Sequence, residues 1–460
     1  MKLTVIGGAG VRSPLLTASA LRWAGRIGMD ELCLMDINAE KLALLGALCR
    51  YIGQREGSPV RITTTTSADE ALDGASYIIT TIRVGEEQGR VHDERIALKH
   101  GVLGQETTGP GGFAMAMRSI PAILGYAALA EKRAPGAWIF NFTNPAGLVT
   151  QALRDRGFAR TVGICDSANG AQHEAARFLG VSPDSLQAEV FGLNHLSWTR
   201  QLLHDGRDIL PELLADDAFL AATTQRMFDP ELVRHLGMFL NEYLFYFYYA
   251  EKALASIQAD ELTRGEEVLR LNRQLLDRLR AIDVERHPEE GLRAYLAYDR
   301  RRAATYMHYA NPAGPSMEEA DMAAEGPITI SMEGGEGYAG VALKIIQALE
   351  SGEPARTALN VPNAGALDFM RPDDVVEISC VIENGSIRTI PVSDVPEHQQ
   401  LLMRSIKLYE RRAVEATLNR SRQQAVYALM AHPLVLSYSL ARTLVDEYLL
   451  AHAAFVGEWQ

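Results

Sequence analysis

The chain has 460 residues, 47% of them hydrophobic and 22% charged, an ordinary globular composition with room for two domains or one large domain with an elaborated second half. Its net charge of −13 is spread along the chain, which excludes a long-range pull on nucleic acid or anionic membrane; a phosphate-bearing partner needs local basic residues. The four cysteines (Cys33, Cys49, Cys165 and Cys380) are too far apart for a disulfide framework, the N-terminus lacks a signal-peptide core, and no apolar run reaches the roughly 18 to 20 residues that span a membrane, so a cytoplasmic protein is expected.

The first elements read as strand, glycine turn, helix and strand. "LTVIGGAGVRSP" is a β-branched run ending in glycines, "ASALRWAG" is helical, and "ELCLMDI" is a buried strand ending in Asp36. Glycines let backbone approach a pyrophosphate, a helix N-terminus favours its charge, and an acid accepts hydrogen bonds from a ribose. Gly8, Gly10, Ser13 and Asp36 are therefore the candidate dinucleotide residues, with serine where a third glycine is usual.

The alternation continues through "PVRITTTTS", "SYIITTIRVG", "GAWIFNFTNP" and "ARTVGICD", with helical stretches such as "RSIPAILGYAALAEKRAP" between them. Strands spaced by helices predict a parallel, doubly wound sheet with ligands at the carboxyl ends of its strands. Those ends carry Gly8 to Ser13, Asp36, Arg83 onward, Asn141 to Asn144, and Cys165 with Asp166.

After Asp166 the rhythm changes. Asp205-Gly206 and Asn384-Gly385 predict β-hairpins. Helical patterns run over Glu266–Ile282, His398–Thr417 and Ser437–Ala454, and "YANPAGPSMEEADMAAEGP" reads as a loop. An α+β second part is expected.

Cys165, at a strand end, and His195, in "GLNHLSW", could meet only if the second part folds over the first. Together they would suit Zn, Mn, Fe or Ni with positions left for substrate oxygens; separately each is ordinary core. Glu106, in "GQETTGPGG", either orients a base or caps a helix. Asn141 and Asn144 either bind sugar hydroxyls or satisfy a turn. "NEYLFYFYYAEKAL" reads as a helix packed into the core, from which one tyrosine could face a cleft as a proton acceptor.

In order along the chain, "ERIALKHGVLGQETTGPGGFAMAMRSIPAIL", "NFTNPAGLVTQAL", "VGICD", "GLNHLSW" and "NEYLFYFYY…LTRGEEV" resemble glycoside hydrolase family 4, the NAD- and manganese-dependent glycosidases. The likeness is dense from Met1 to about Val268 and looser beyond, and "NFTNPAG" and "GQETTGPGG" are most similar to its 6-phospho-β-glucosidases. The resemblance implies a Rossmann-like NAD-binding domain over residues 1–166 and an α+β substrate-binding and oligomerisation domain over 167–460. It implies Cys165 and His195 as metal ligands, Tyr243 as the base, and Glu106 as the acid that makes that tyrosine more basic. Asp166 matches the proton donor of α-specific members; many β-specific members have asparagine there. Arg90, Asn144 and Arg264 match substrate-binding positions.

The implied reaction oxidises C3 of the sugar with NAD, removes the C2 proton, eliminates the aglycone from C1, adds water and returns the hydride. The substrate is a small glycoside with or without a 6-phosphate, and a homodimer or homotetramer is expected, with no nucleic acid or membrane partner. Activities on α-glucosides, α-galactosides or α-glucuronides are the alternatives within the family. Outside it stand a malate- or lactate-type NAD dehydrogenase, which needs no metal pair, and a non-catalytic NAD sensor, which has no use for Tyr243, Cys165 and His195 together.

Overall fold

The computed structural model describes residues 1–307, 310, 330 and 339–460; the expected loop from Tyr309 to Pro327 lies, apart from Ala310, outside the described residues. Strands β1 (Lys2–Ile6), β2 (Glu31–Met35), β3 (Arg61–Thr65), β4 (Tyr77–Thr80), β5 (Trp138–Asn141) and β6 (Thr161–Gly163) lie parallel in the order β6-β5-β4-β1-β2-β3. β1 and β4 are buried almost throughout, as strands covered by helices on both faces must be. The strand order reverses between β1 and β4, so a crevice opens at their carboxyl ends. This is the expected doubly wound α/β sheet.

The sheet then continues with residues from much later in the chain. β11 (Ala355–Pro362) pairs antiparallel with β6 through Asn360 and Gly163, and β12 (Val375–Glu383) and β13 (Ser386–Thr389) follow as the hairpin predicted at Asn384-Gly385. The expected division at residue 166 is thus crossed by one sheet, of nine strands among the described residues.

A second sheet holds β7 (Leu186–Leu193), β8 (Leu196–His204), β9 (Arg207–Asp208) and β10 (Phe239–Leu240), with the Asp205-Gly206 turn between β8 and β9. Its β7–β8 hairpin docks on β12. The Val190 N–H donates to Ser379 Oγ, and the carboxylate of fully buried Glu377 accepts from Asn194 at 3.2 Å, Ser197 at 2.8 Å and Asn360 at 3.0 Å. One carboxylate therefore anchors the hairpin tip to the strand that lies against β6. Burial pushes Glu377 up to about 7, opposed by those three donors.

The predicted long helices form at Arg264–Ile282, Glu397–Asn419 and Tyr438–Ala451. The first starts with a capping box between Thr263 and Glu266. The aromatic run expected as a helix is instead a 3-10 turn (Glu242–Leu244) and one helical turn (Phe245–Tyr248) before the helix Ala250–Ala259. Asn241 starts that turn by accepting from the Tyr243 N–H at 3.0 Å. Among the described residues one helix, Pro110–Arg133, is by length and composition apolar enough to cross a membrane, against the expectation that no run would be. Of its apolar window 61% is buried, and Arg118 within it is paired with Asp93, the pattern of a core helix.

Candidate active site

The glycine turn closes on the sheet. The N–H groups of Gly7 and Gly8 both donate to Met35 O, at 2.9 and 2.7 Å, and a Cβ on Gly8 would lie 2.7 Å from Leu34 Cβ. A Cβ on Gly10 would meet Gly7 O at 3.2 Å, so Gly8 packs against the neighbouring strand and Gly10 against the backbone of its own turn. Buried Ser13 opens the helix Ser13–Ile27, whose first turn has Pro14 and no side-chain cap on its N–H groups. Half-buried Asp36 accepts from the Ala9 N–H at 3.1 Å and the Asn38 N–H at 3.0 Å, which fixes its carboxylate beside the turn. A glycine turn closed on the sheet, the helix it leads into and an aimed carboxylate fit the pyrophosphate and ribose of a dinucleotide.

His195 sits on the two-residue turn between β7 and β8, with φ +62°. That left-handed conformation is uncommon for a residue with a Cβ and costs on the order of 1 to 3 kcal/mol. The neighbours over-determine it: Glu377 holds Asn194, Thr107 Oγ1 lies 2.8 Å from His195 Nδ1, and the Tyr243 ring stacks on the imidazole at 3.7 Å and 3°. Burial pushes His195 down to about 4, although Glu106 nearby pulls the other way, so the ring is neutral at pH 7. Burial, then Glu242 and Glu106, push Tyr243 well above the usual phenol range, and only a cation can make it a base. The Tyr306 hydroxyl donates to Glu242 at 2.6 Å and lies 3.3 Å from the Tyr243 hydroxyl.

Beside them is a network of arginines and carboxylates. Glu106 pairs with Arg83 at 2.7 Å and Arg90 at 3.1 Å; Arg90 also pairs with Glu94 at 2.7 Å, and Arg83 approaches Glu87 at 3.5 Å. Burial opposes the Glu106 charge, but Arg90 and Arg83 outweigh it and hold the carboxyl below the usual range. Glu94 also accepts from the Gly265 N–H at 2.7 Å, which brings in Arg264. Arg264 donates to Arg302 O at 2.9 Å and pairs with Glu267 at 3.3 Å; burial, then Arg90 and Arg302, push it down. Glu106 is therefore part of an ion-pair network and caps no helix.

Asn141 makes the turn: its side chain accepts from Thr80 Oγ1 and the Thr143 N–H and donates to Thr143 O, Ala146 O and Thr150 Oγ1. Half-buried Asn144 follows it, before Pro145 and a cis peptide bond.

Cys165 and exposed Asp166 stand where β6 runs into the 3-10 turn Asp166–Asn169. Burial, then Glu377, push the Cys165 thiol up to about 12, against a contact of 3.0 Å with Ser167 Oγ. Asn241 joins the two halves: its amide donates to Ser167 Oγ at 3.3 Å and Ser197 Oγ at 3.2 Å, and its oxygen takes the Tyr243 N–H. Among the described residues no group of three or more His, Cys, Asp or Glu closes a metal site. Cys165 and His195 would supply two donors, a sulfur that releases its proton on binding and a neutral imidazole, leaving other positions for substrate oxygens. A thiolate and an imidazole suit a borderline metal such as zinc or iron; manganese, a harder cation, would draw on the substrate oxygens for its remaining positions. Sequence reasoning gave no role to Thr107, Asn241 and Glu377 and placed Arg83 only at a strand end; of these Thr107 and Asn241 lay within stretches already singled out as candidate site segments.

The family 4 glycosyl hydrolase model matches residues 2–181, and the model of the family 4 glycosyl hydrolase C-terminal domain matches residues 190–435. The 6-phospho-beta-glucosidase of Escherichia coli strain K12 is 29% identical over 98% of this chain and 95% of its own length. The 6-phospho-alpha-glucosidase of Leptotrichia buccalis is 26% identical over 98% of both chains. The solved 6-phospho-beta glucosidase of Thermotoga maritima is 26% identical, with each chain covered to 99%; its form with NAD and glucose-6-phosphate has a TM-score of 0.81, and that with manganese, NAD+ and glucose-6-phosphate 0.80.

Proposed function

We propose that this chain, which belongs to the family 4 glycosyl hydrolases, cleaves 6-phospho-β-glucosides by an oxidation–elimination route that uses NAD and a divalent metal such as manganese. The observation that carries this reading is the Tyr243 ring stacked at 3.7 Å on His195, with Glu106 beside both. Most glycosidases set two carboxylates across the scissile bond; a tyrosine against a metal-type histidine suits proton abstraction next to a ketone instead.

When bound, NAD supplies a hydride acceptor for C3 of the sugar and the metal a Lewis acid for its C2 and C3 oxygens. Gly8, Gly10, Ser13 and Asp36 hold the dinucleotide, and Cys165 and His195 hold the metal. A ketone at C3 acidifies the C2 proton, and the Tyr243 oxygen takes it. The charge of Glu106 raises the basicity of that oxygen. Asp166 protonates the aglycone oxygen as it leaves C1. Arg90, Asn144 and Arg264 hold the sugar.

A two-part organisation belongs to this reading: residues 1–166 hold the dinucleotide and residues 167–460 supply hairpin, tyrosine and helices. So does a cytoplasmic setting, supported by four free cysteines. Exposed Leu401, Leu450 and Phe455 on the C-terminal helices, with Leu436 in the loop before the helix Tyr438–Ala451, support a homodimer or homotetramer.

The test is a panel of p-nitrophenyl α- and β-glucosides, with and without 6-phosphate, assayed with NAD and manganese under reducing conditions. Turnover of the 6-phospho-β-glucoside without net NADH is expected. Turnover confined to the α-anomers would move the assignment to the α-specific branch that Asp166 resembles, and stoichiometric NADH would replace it with a dehydrogenase.

A further inference from the structure

We infer that Thr107, oriented by Gln105, is a positioning residue that fixes which nitrogen of His195 faces the metal. This rests on the reading of His195 as a metal ligand. The argument starts at Gln105, whose side-chain oxygen accepts from the backbone N–H of Thr107 at 2.7 Å and of Thr108 at 2.6 Å. Two backbone donors can meet only the oxygen, so the amide has one orientation. The Thr107 hydroxyl also donates to that oxygen, at 3.0 Å. A hydroxyl has one proton; once it is given to Gln105, the Thr107 oxygen can only accept from His195 Nδ1, 2.8 Å away. The proton of the imidazole therefore sits on Nδ1, and the lone pair on Nε2. A metal-binding histidine needs this division, and the partner of its other nitrogen sets both tautomer and ring direction.

The loop that carries Thr107 has no room to relax. A Cβ on Gly111 would lie 2.1 Å from Gln105 O, and one on Gly112 would lie 2.2 Å from Thr107 O, so the start of the helix Pro110–Arg133 presses directly on the loop backbone. Tyr243 fixes the plane of the imidazole from its face, and Thr107 fixes the rotation within that plane. The lock spans 88 residues of sequence between loop and hairpin.

The experiment is titration of the purified, NAD-loaded protein with manganese(II) chloride in the absence of sugar, with free Mn2+ read by electron paramagnetic resonance. Thr107→Val keeps the β-branched shape and removes the hydroxyl; it is expected to weaken Mn2+ binding about 10- to 100-fold. Thr107→Ser restores the hydroxyl and should bind within about threefold of the parent, the size of ordinary context effects. NAD affinity, the control for folding, should stay at the parent value in both. In the metal-free protein, nitrogen-15 spectra of labelled imidazole should place the His195 proton on Nδ1, and Thr107→Val should move it. Parent-like Mn2+ binding by Thr107→Val, with binding lost in His195→Ala, would overturn the positioning role and leave the ligand reading standing. Parent-like Mn2+ binding by His195→Ala would overturn both. Equal losses in Thr107→Val and Thr107→Ser would show that shape and not the hydroxyl matters, and would also overturn it.

Discussion

Two arginine networks are built on the same helix, Glu86–Lys99, and they end differently. Asp93 on that helix takes both Nη atoms of fully buried Arg118, at 2.6 and 2.7 Å, while Arg118 also donates to Ala114 O and Val84 O. His452, near the C-terminus, places Nε2 2.7 Å from the same carboxylate. Each nitrogen of the Arg118 guanidinium meets an acceptor of the fold, on Asp93, on Ala114 O of its own helix or on Val84 O of the loop before the Glu86 helix. Arg90 and Glu94, elsewhere on the helix, join Glu106 and Arg83 instead, and this second network faces His195 and Tyr243 on other elements. The first holds three helices together. The second holds charge beside groups whose protonation a ligand can change.

The largest effect expected is at Tyr243. Tyr243→Phe keeps the stacked ring and should cost 10² to 10⁴ in kcat/KM, with NAD affinity and thermal midpoint close to the parent. Activity near that of the parent would remove the functional half of the contrast, and Tyr246, next along the run, would be tested in its place. In the closed network, Arg118→Met strands a buried carboxylate and should cost about 3 to 5 kcal/mol in urea unfolding. Turnover per folded molecule should hardly change; a specific loss of turnover would blur the two networks.

The histidines give a smaller, pH-dependent contrast. Burial holds His195 at about 4, below an unfolded value near 6.5, so the unfolded chain gains its proton first. Stability of the metal-free protein should be intact above pH 6.5 and fall as the pH drops to 4. His195→Gln should remove on the order of 3 kcal/mol of that slope, read from urea midpoints across the window. Smallest is Asp36→Ala, which should weaken NAD binding by about 1.5 to 3 kcal/mol in calorimetry, beyond the loss in unfolding from the Ala9 and Asn38 N–H groups it releases. An unchanged affinity would place the ribose elsewhere.

The strand–turn–helix–strand opening with Asp36 was readable because its signals are local: a β-branched run, glycines, then an acid. The hairpins at Asp205-Gly206 and Asn384-Gly385 were readable for the same reason. The sheet partner of β11 was not, since nothing in a strand's sequence names the edge it joins. The aromatic run misled because its helical spacing says nothing of the Asn241 side chain that tightens its first turn. The Thr107–His195 lock is invisible for another reason: a hydroxyl and an imidazole 88 residues apart leave no periodic trace. Family likeness named Cys165, His195 and Tyr243; only geometry shows Asn241 and Glu377 drawing their elements together.

The shortest strand of the large sheet, β6, has three residues, and its outer side is taken by β11 through Asn360 and Gly163. On a ribosome that partner emerges only after the entire hairpin and helical region between residues 163 and 355 has been made. At about 5 to 20 residues per second this leaves β6 a bare edge for roughly 10 to 40 seconds. A bare parallel edge is a template for a neighbouring nascent chain. Residues 1–166 made alone keep that edge for good and should self-associate in light scattering, so the six parallel strands depend on the late strands β11 to β13 for solubility as much as for shape.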